Sequence, residues 1–508
     1  MARPVETKTD KRLVIGVILI VSILTALRFA FTGTIELLPE EAYYWMYSKH
    51  PALSYFDHPP MVAWIISAGR TIFGDTQLEV RFGTIVLWIF SCELSFLTGR
   101  FWFGRRAALV TTLLFTLAPI FVGTGFLVTP DAPLVFFWLL TLYLISLAVR
   151  RDRPNCWLLA GVSFGGALLS KYYAVLLAPS VLLFLLLSPA NRKWLRRPQV
   201  WLGLFIGLAL FSPVVIWNAQ HDWASFIFQS TRANLAQNHL LRNVVWFWLM
   251  QAAMLGPVFF PLFVWTAARA MKRGWLEGDA RWNFVGSFSL PLFFLFAAAS
   301  FKTEIHINWS APCFLSLAVG AGAVVVDGLA APQASRAKRW RIGAGLGVAS
   351  SVALIVFGHT SLAWDFPKVF AYSRAGGWRA LAEQVARSRE ELHRQTGLRP
   401  FVLGIDKYSV AAELGFYLGE PDDCVNQFAL GGRGLAFPYW TDLREFENRP
   451  AVAVFMKDAE EPLSKLRHHF DRVGQPVRIE LQNRGARRHR GWLVQCQGYH
   501  AEAQRDVH

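Results

Sequence analysis

The run Leu13-Val-Ile-Gly-Val-Ile-Leu-Ile-Val-Ser-Ile-Leu-Thr-Ala-Leu-Arg-Phe-Ala-Phe31, with Arg12 before it and Leu38-Pro-Glu-Glu-Ala-Tyr-Tyr-Trp45 soon after, decides the fold class. A helix of that length rises about 28 Å, close to the ~30 Å hydrocarbon core of a bilayer. No small-residue cleavage site follows, so it reads as an uncleaved first span. Similar runs recur near 80–99, 107–127, 132–149, 199–217, 244–268, 283–300, 309–328 and 341–361. The stretch 157–188 is also apolar but is broken by Ser170-Lys-Tyr-Tyr173, and reads as two shorter spans meeting at a polar break. The expectation is an α-helical polytopic membrane protein of about 11 transmembrane helices. Only 17% of its 508 residues are charged and 54% are hydrophobic. Soluble proteins carry about 25% charged residues, which argues against a wholly soluble enzyme.

The net charge of +16 could signal nucleic acid, but the basic residues fall between the apolar runs and read first as topology signals. They occupy the N-terminus, Arg100 to Arg106, Arg150 to Arg153, Arg192 to Arg197, Arg269 to Arg281 and Arg336 to Arg341, each after an even number of spans. All of these can therefore be cytoplasmic together. The alternate loops, 32–79, 123–131, 170–173, 218–243 and 301–308, then lie outside. An odd number of spans puts the tail outside too. The N-terminus is expected in the cytoplasm of a bacterial inner membrane and the C-terminal part in the periplasm, with no nucleic-acid partner.

Two domains follow: a transmembrane unit, 1–361, with a first outer loop at 32–79, and a small C-terminal α/β periplasmic domain, 362–508. In the tail, Trp378 to Gln395, Tyr408 to Leu418 and Pro462 to Phe470 read as helices. Phe401 to Ile405, Ala451 to Met456 and Trp492 to Gln495 read as buried strands. The five cysteines show no zinc spacing. Cys424 and Cys496 both lie in the tail, where a periplasmic location permits a disulfide.

Every unusual polar cluster falls in an outside loop, and each has a bland reading beside the chemical one. Charge is costly inside a bilayer, so charges at span ends invite a functional reading. Glu40 and Glu41 can supply a general base for an acceptor hydroxyl, or simply an acidic helix N-terminus favoured by the dipole. Tyr43, Tyr44, Trp45 and Tyr47 can stack on a sugar, line an acyl chain or form an interfacial aromatic belt, and Tyr55 is a further candidate for substrate binding. Asp57-His58-Pro59-Pro60 can be a rigid turn beneath a site or an ordinary loop. Asp131 can bind hydroxyls or cap the fourth span. Lys171, with Tyr172 beside it, can clamp a phosphate or snorkel to the interface. Lys302, Glu304, His306 and Asn308 alternate with apolar residues and can share one face, Lys302 pairing with a phosphate that Glu304 orients. Glu304 and His306 fit no standard metal spacing. Asn308-Trp309-Ser310 matches an N-glycosylation acceptor, a short pattern that also arises by chance. Arg472, Arg478, Arg484, Arg487, Arg488 and Arg490 can meet anionic lipids or be a solvated basic face.

Together these residues resemble the membrane glycosyltransferases of the GT-C superfamily, in the bacterial branch that groups with dolichyl-phosphate-mannose protein mannosyltransferases and lipid A aminoarabinose transferases. The likeness rests on Glu40-Glu-Ala-Tyr-Tyr-Trp45 followed by Tyr55-Phe-Asp-His-Pro-Pro60. It extends to Thr129-Pro-Asp-Ala-Pro133, Ser170-Lys-Tyr172 and Ala411-Ala-Glu-Leu414. The family loop usually reads Asp-Glu, with the Asp as base; here Glu40 stands at that position and Glu41 matches the second acid. The resemblance implies that Asp131 is the second acidic residue of the outer face. It implies that Lys171, or Arg70 on an interfacial segment 61–73, binds donor phosphate. The implied reaction is an inverting transfer of a sugar from a polyprenyl-phosphate donor to an envelope acceptor, which can be lipid A, another glycan or protein. A monophosphate leaving group requires no metal cofactor, although a divalent cation is compatible. The alternatives are a transporter of lipid-linked sugars, which needs polar residues along a midplane pathway, and an inactive relative acting as a binding subunit.

Overall fold

The computed structural model describes residues 8–234, 240–364, 376–456, 459–483 and 486–501. Each apolar run forms helix. α1 (Lys8–Thr32) leads into an outer loop that contains α2 (Pro39–Lys49) and α3 (Met61–Phe73). α4 (Gln77–Leu117) contains 41 residues but doubles back at Gly104, where φ is 83°, a conformation glycine adopts without a Cβ clash. Ser95 Oγ lies 3.4 Å from Thr112 Oγ1, whereas the same residues in a straight helix would be about 25 Å apart. The expected spans 80–99 and 107–127 are thus two legs of one hairpin, with the basic Arg100 to Arg106 segment at its tip.

The chain continues through the short α5 (Pro119–Thr124), α6 (Asp131–Arg151), α7 (Cys156–Leu168) and α8 (Leu177–Leu187). α9 (Pro198–Leu210), α10 (Ser212–Gln220) and α11 (Ala224–Asn234) come next, then α12 (Leu240–Leu255) and α13 (Phe259–Arg269). α14 (Ala280–Ser287), α15 (Leu290–Ala299), α16 (Cys313–Leu329) and α17 (Ala334–Trp364) complete the membrane unit.

Among the described residues six helices are long and apolar enough to cross a membrane, with the doubled-back α4 counted once, and a bent pair makes a seventh. Helix length alone therefore falls short of eleven crossings, for physical reasons. The run expected as one span at 244–268 is broken into two helices at 107°. Gly256 there takes φ 85°, and Pro257 supplies no backbone N–H. α7, α8 and α16 have 13, 11 and 17 residues, below the ~20 of a full span. The multi-pass character stands. α7 and α9 pack through glycine: a Cβ on Gly161 would sit 2.1 Å from the Gly203 carbonyl oxygen, the close approach that small residues allow between membrane helices.

The tail folds into α18 (Trp378–Thr396), α19 (Ser409–Leu418), α20 (Glu460–His469) and strands β1 (Phe401–Gly404), β2 (Cys424–Asn426), β3 (Ala451–Phe455), β4 (Phe470–Val473), β5 (Val477–Asn483) and β6 (Ala486–Tyr499). The sheet order is β2-β1-β3-β6-β4, with β5 also on β6. β1 pairs in parallel with β2 and β3, and β6 runs antiparallel to its partners. The three expected helices and three expected strands are present; β2, β4 and β5 are additions. The Cys424–Cys496 disulfide is excluded. β2 and β6 lie three strand spacings apart, about 14 Å, against the ~7 Å limit between bridged Cα atoms, and both thiols are free and buried.

One buried cluster joins the two units. Tyr43, Tyr44, Trp45, Met46 and Tyr47 of α2 pack with Phe401, Ala411, Ala412, Phe428 and Phe437 of the tail. Polar contacts fix the docking: the Leu37 amide donates to the Tyr417 hydroxyl at 2.9 Å, and the Trp378 amide donates to Glu36 at 2.7 Å.

Candidate active site

α2 begins at Pro39, so Glu40 and Glu41 occupy its first turn, where carboxylates meet the positive end of the helix dipole. Their fates then diverge. Glu41 is 1% exposed. Its Oε2 accepts from the Leu38 amide at 3.0 Å and from Arg81 Nη2 at 2.5 Å; its Oε1 accepts from Arg81 Nε at 3.0 Å and from the Val128 amide at 3.2 Å. Arg81 is fully buried and also donates to the carbonyls of Thr32, Ile35 and Glu36. This fork-on-fork pair ties together the end of α1, the outer loop, α4 and the segment before α6. Glu40 is only partly buried, and its Oε1 accepts from the Tyr408 hydroxyl of the tail at 3.2 Å.

Asp131, 1% exposed, opens α6 and gathers residues far apart in sequence. Its Oδ1 accepts from Lys171 Nζ at 2.7 Å and from the Tyr173 hydroxyl at 3.2 Å; its Oδ2 accepts from Asn308 Nδ2 at 2.5 Å. The cap reading of Asp131 therefore fails, since its carboxylate makes an ion pair rather than a cap bond. Lys171 is 5% exposed, which excludes simple snorkelling.

Asp57 accepts from the hydroxyls of Tyr43 (3.0 Å) and Tyr47. Tyr55 stacks on Tyr47 at 4.0 Å and donates to its carbonyl, and His58 meets Tyr44 edge-on at 5.7 Å. These aromatics are therefore a packed support rather than an interfacial belt. Tyr44 is buried beside them. Burial first, then the charges of Asp57, the Tyr408 hydroxyl, Asp131 and Glu40, hold its hydroxyl well above the usual phenol range. Tyr172 bonds Ser225 at 2.6 Å, drawing α11 against the same cluster.

Other expected residues lie elsewhere. Arg70 is exposed and pairs with Asp75 at 3.5 Å. The start of α3 touches Leu169 through the Met61 amide, but Arg70 is further along that helix by about 13 Å, so Lys171 rather than Arg70 is the cation beside Asp131. Lys302, Glu304 and His306 are exposed, and Glu304 sits 4.0 Å from Arg242; only Asn308 of that segment reaches the Asp131 cluster. The glycosylation pattern is ruled out, because Asn308 is engaged by Asp131 and Ser310 is buried, donating to Gln251 at 2.6 Å. Among the described residues, no group of three or more His, Cys, Asp or Glu could hold a metal ion. Arg472 and Arg478 are exposed on β4 and β5; Arg484 and the side chains of Arg487, Arg488 and Arg490 lie outside the described residues.

Sequence reasoning missed Arg81, Tyr173 and Tyr408. Arg81 had a signal, a positive charge one residue inside an apolar run. Tyr408 had none, because its partner is 368 positions away. Glu413, within the singled-out tail motif, is fully buried with no hydrogen-bond partner among the described residues. Burial, then the charges of Glu36, Glu41 and Glu40, push its carboxyl well above the usual carboxylate range.

Residues 57–217 match the family model described as dolichyl-phosphate-mannose-protein mannosyltransferase. Among curated proteins, the lipid A galacturonosyltransferase RgtD of Rhizobium johnstonii is 26% identical over 54% of this chain and 58% of its own length. The undecaprenyl phosphate-α-4-amino-4-deoxy-L-arabinose arabinosyl transferase of Edwardsiella ictaluri is 25% identical over 54% of this chain and 50% of its own. The chain thus spans about half the length of these curated relatives. Of solved structures, ArnT from Cupriavidus metallidurans bound to undecaprenyl phosphate aligns with TM-score 0.63 at 16% identity, covering 94% of this chain and 97% of that one. The oligosaccharyltransferase AglB of Archaeoglobus fulgidus aligns with TM-score 0.53 at 13% identity, covering 99% and 75%.

Proposed function

We propose that this chain, related in sequence and fold to the GT-C glycosyltransferases, transfers a sugar from a polyprenyl-phosphate carrier to an envelope acceptor at the outer face of a bacterial inner membrane. The N-terminus would be cytoplasmic and the tail domain periplasmic, as the basic loops favour. Glu40 would be the general base. The observation that carries this assignment is the contrast within the pair: Glu41 is saturated by Arg81 and two backbone amides, whereas Glu40 has one hydroxyl contact and partial exposure. Glu40 takes the proton of the acceptor hydroxyl as its oxygen bonds to the anomeric carbon. The bond from that carbon to the phosphate oxygen breaks, the configuration inverts, and polyprenyl phosphate leaves with the electron pair. Lys171, held by Asp131, meets the charge on the departing phosphate. The placement of Glu40, Asp131 and Lys171 at helix ends, rather than along a midplane pathway, favours this chemistry over transport.

The test is transfer of radiolabelled sugar from polyprenyl-phosphate donors to envelope extract by the purified protein in lipid. Label should reach an acceptor with wild type and Glu41→Gln, and fall to background with Glu40→Gln. Full activity in both variants would refute a carboxylate base at this site. Labelled donor crossing the bilayer unchanged would establish transport instead.

A further inference from the structure

At the end of the helices opposite the acid pair lies a groove of another kind. It encloses about 790 Å³ among α1, the second leg of α4, α13, α16 and α17, within the roughly 300–1,000 Å³ of small-ligand sites. Leu13 of α1, Leu113 of α4, Leu262 of α13 and Val325 of α16 line it, and Arg336 and Arg339 are its only charged lining residues among the described residues. α16 separates it from the candidate active site. Asn308, bonded to Asp131, precedes this 17-residue helix and Arg336 follows it, about 25 Å of helical rise away.

The order of residues along α17 gives the groove a direction. Arg336, Arg339, Trp340, Gly343, Ala344 and Val348 all line it, at the three- and four-residue spacings that keep side chains on one helix face. Charge sits at the start of this stripe, within the basic segment Arg336 to Arg341, and only small or apolar residues follow. From Arg336 to Val348 the helix rises about 18 Å, against about 15 Å for one leaflet's half of the hydrocarbon core.

The mouth is firmly built. A Cβ on Gly328 of α16 would lie 2.2 Å from the Trp340 ring, so that ring is seated on the α16 backbone, and it meets Trp265 edge-on at 6.3 Å. Further in, the groove is open, since a Cβ on Gly343 would meet nothing within 4 Å. The charge at the mouth is uncompensated by the chain. Arg269 of neighbouring α13 pairs with Asp327 at 3.0 Å, whereas Arg336 and Arg339 are exposed and pair with no carboxylate among the described residues.

We infer that this groove binds one anionic glycerophospholipid, its phosphate between the Arg336 and Arg339 forks and an acyl chain running past Gly343 to Val348. Arginine forks match phosphate oxygens, and basic pockets between membrane helices take anionic headgroups. The lipid is distinct from a sugar donor, whose phosphate belongs beside Lys171. Its place in the inner leaflet rests on the basic loops; its chemistry rests on neither the topology nor the transferase reading.

Native mass spectrometry of the full-length protein in detergent, titrated with dioleoylphosphatidylglycerol or dioleoylphosphatidylcholine, tests this. The two lipids share chains and phosphate, but the second carries a compensating cation. The variants are Arg336→Gln with Arg339→Gln, Gly343→Trp, and Arg196→Gln with Arg197→Gln, which removes the same charge from another exposed basic segment. Melting midpoints without lipid establish that each is folded; should Gly343→Trp fail to fold, the arginine pair decides. Wild type and the Arg196/Arg197 variant should bind one phosphatidylglycerol at least about tenfold more tightly than phosphatidylcholine, as two arginines facing an anionic headgroup predict. The Arg336/Arg339 variant should lose that preference, and folded Gly343→Trp should lose the bound lipid of either kind. Equal affinity for the two lipids in wild type would overturn the site, as would a preference kept without Arg336 and Arg339 or lost equally without Arg196 and Arg197. Wild-type binding by folded Gly343→Trp would also overturn it. Displacement of phosphatidylglycerol by polyprenyl phosphate at equal concentration would overturn it too, making the groove part of the donor's path. Sugar transfer enters none of these readouts, so a failure of the transferase reading leaves the site standing.

Discussion

Replacing each acid of the Glu40-Glu41 pair by glutamine separates chemistry from architecture. Glu41→Gln keeps the shape but removes the charge opposite a buried Arg81, and it turns an NH2 group toward two of the four donors. Breaking one side of a buried ion pair costs about 3–5 kcal/mol, mostly through the charge left behind. Unfolding entropy of roughly 2.1 cal/mol/K per residue, over 508 residues, gives about 1 kcal/mol/K, so the melting midpoint should fall by about 3–5 °C. Spans that stay helical in detergent reduce that entropy and enlarge the shift. Glu40→Gln removes one contact of a partly exposed group, and its midpoint should stay within about 1 °C, a surface-like effect below roughly 0.5 kcal/mol. Its transfer rate should instead fall by about 10²–10⁴, the usual contribution of a positioned base. The assays are thermal unfolding in detergent followed by tryptophan fluorescence, and single-turnover transfer at a temperature where both variants are folded. A Glu41→Gln protein with an unchanged midpoint and no transfer, beside an active Glu40→Gln, would refute the reasoning and return the base to Glu41.

The other variants probe the neighbouring elements. Asp131→Asn should lower both stability and transfer, by leaving Lys171 buried without its counter-charge; Asp131→Asn with Lys171→Met should regain midpoint relative to Asp131→Asn but not transfer, and recovery of transfer would remove the pair from the chemistry. Glu413 is protonated in the folded chain at pH values where the unfolded chain has released its proton, because its folded pKa is raised. Stability therefore falls as pH rises above the unfolded value of about 4.3, so Glu413→Gln should match wild type near pH 4 and melt increasingly higher than wild type toward pH 8; parallel curves would refute the buried neutral acid. Gly161→Leu should abolish accumulation of folded protein in the membrane, since a Cβ there meets the Gly203 carbonyl; normal yield and midpoint would show that α7 and α9 do not cross at these glycines.

What was legible in the sequence follows from range. Hydrophobic runs and lysine or arginine clusters are local quantities, and each expected span became helix. The hairpin at Gly104 was legible as two spans because Arg100, Arg105 and Arg106 mark its tip. The breaks within the runs were not, because Gly256-Pro257 interrupts a continuous apolar run and α7 and α8 are short helices. The same holds in the site. Glu40, Glu41, Asp131 and Lys171 were singled out by charge at the ends of apolar runs, and the structure joins Asp131, Lys171 and Asn308. The division of labour within the acid pair was hidden, since it is set by Arg81, 40 positions on. Cys424 and Cys496 misled for the mirror reason: their shared compartment was readable, but the strand order that separates them was not.

The boundary near residue 361 is a break in composition rather than a break in the site. Glu40 sits in the membrane unit, but its hydroxyl contact is Tyr408 of the tail. Tyr43, which helps hold Asp57, receives the Ala436 amide at 3.1 Å and packs against Tyr408 at 4.6 Å. A cleft beside them takes Asp222 from one unit and Arg433 from the other. A tail expressed apart would expose the aromatic face that α2 now covers, and a membrane unit without its tail would lose the partner of Glu40 and half of the cleft. The two units are therefore coupled through α2, whose first turn carries the acid pair and whose remaining turns form the docking surface. Any motion of the tail on that surface would move the groups facing Glu40 before it moved Asp131 or Lys171, which are anchored on α6 and at the break after α7.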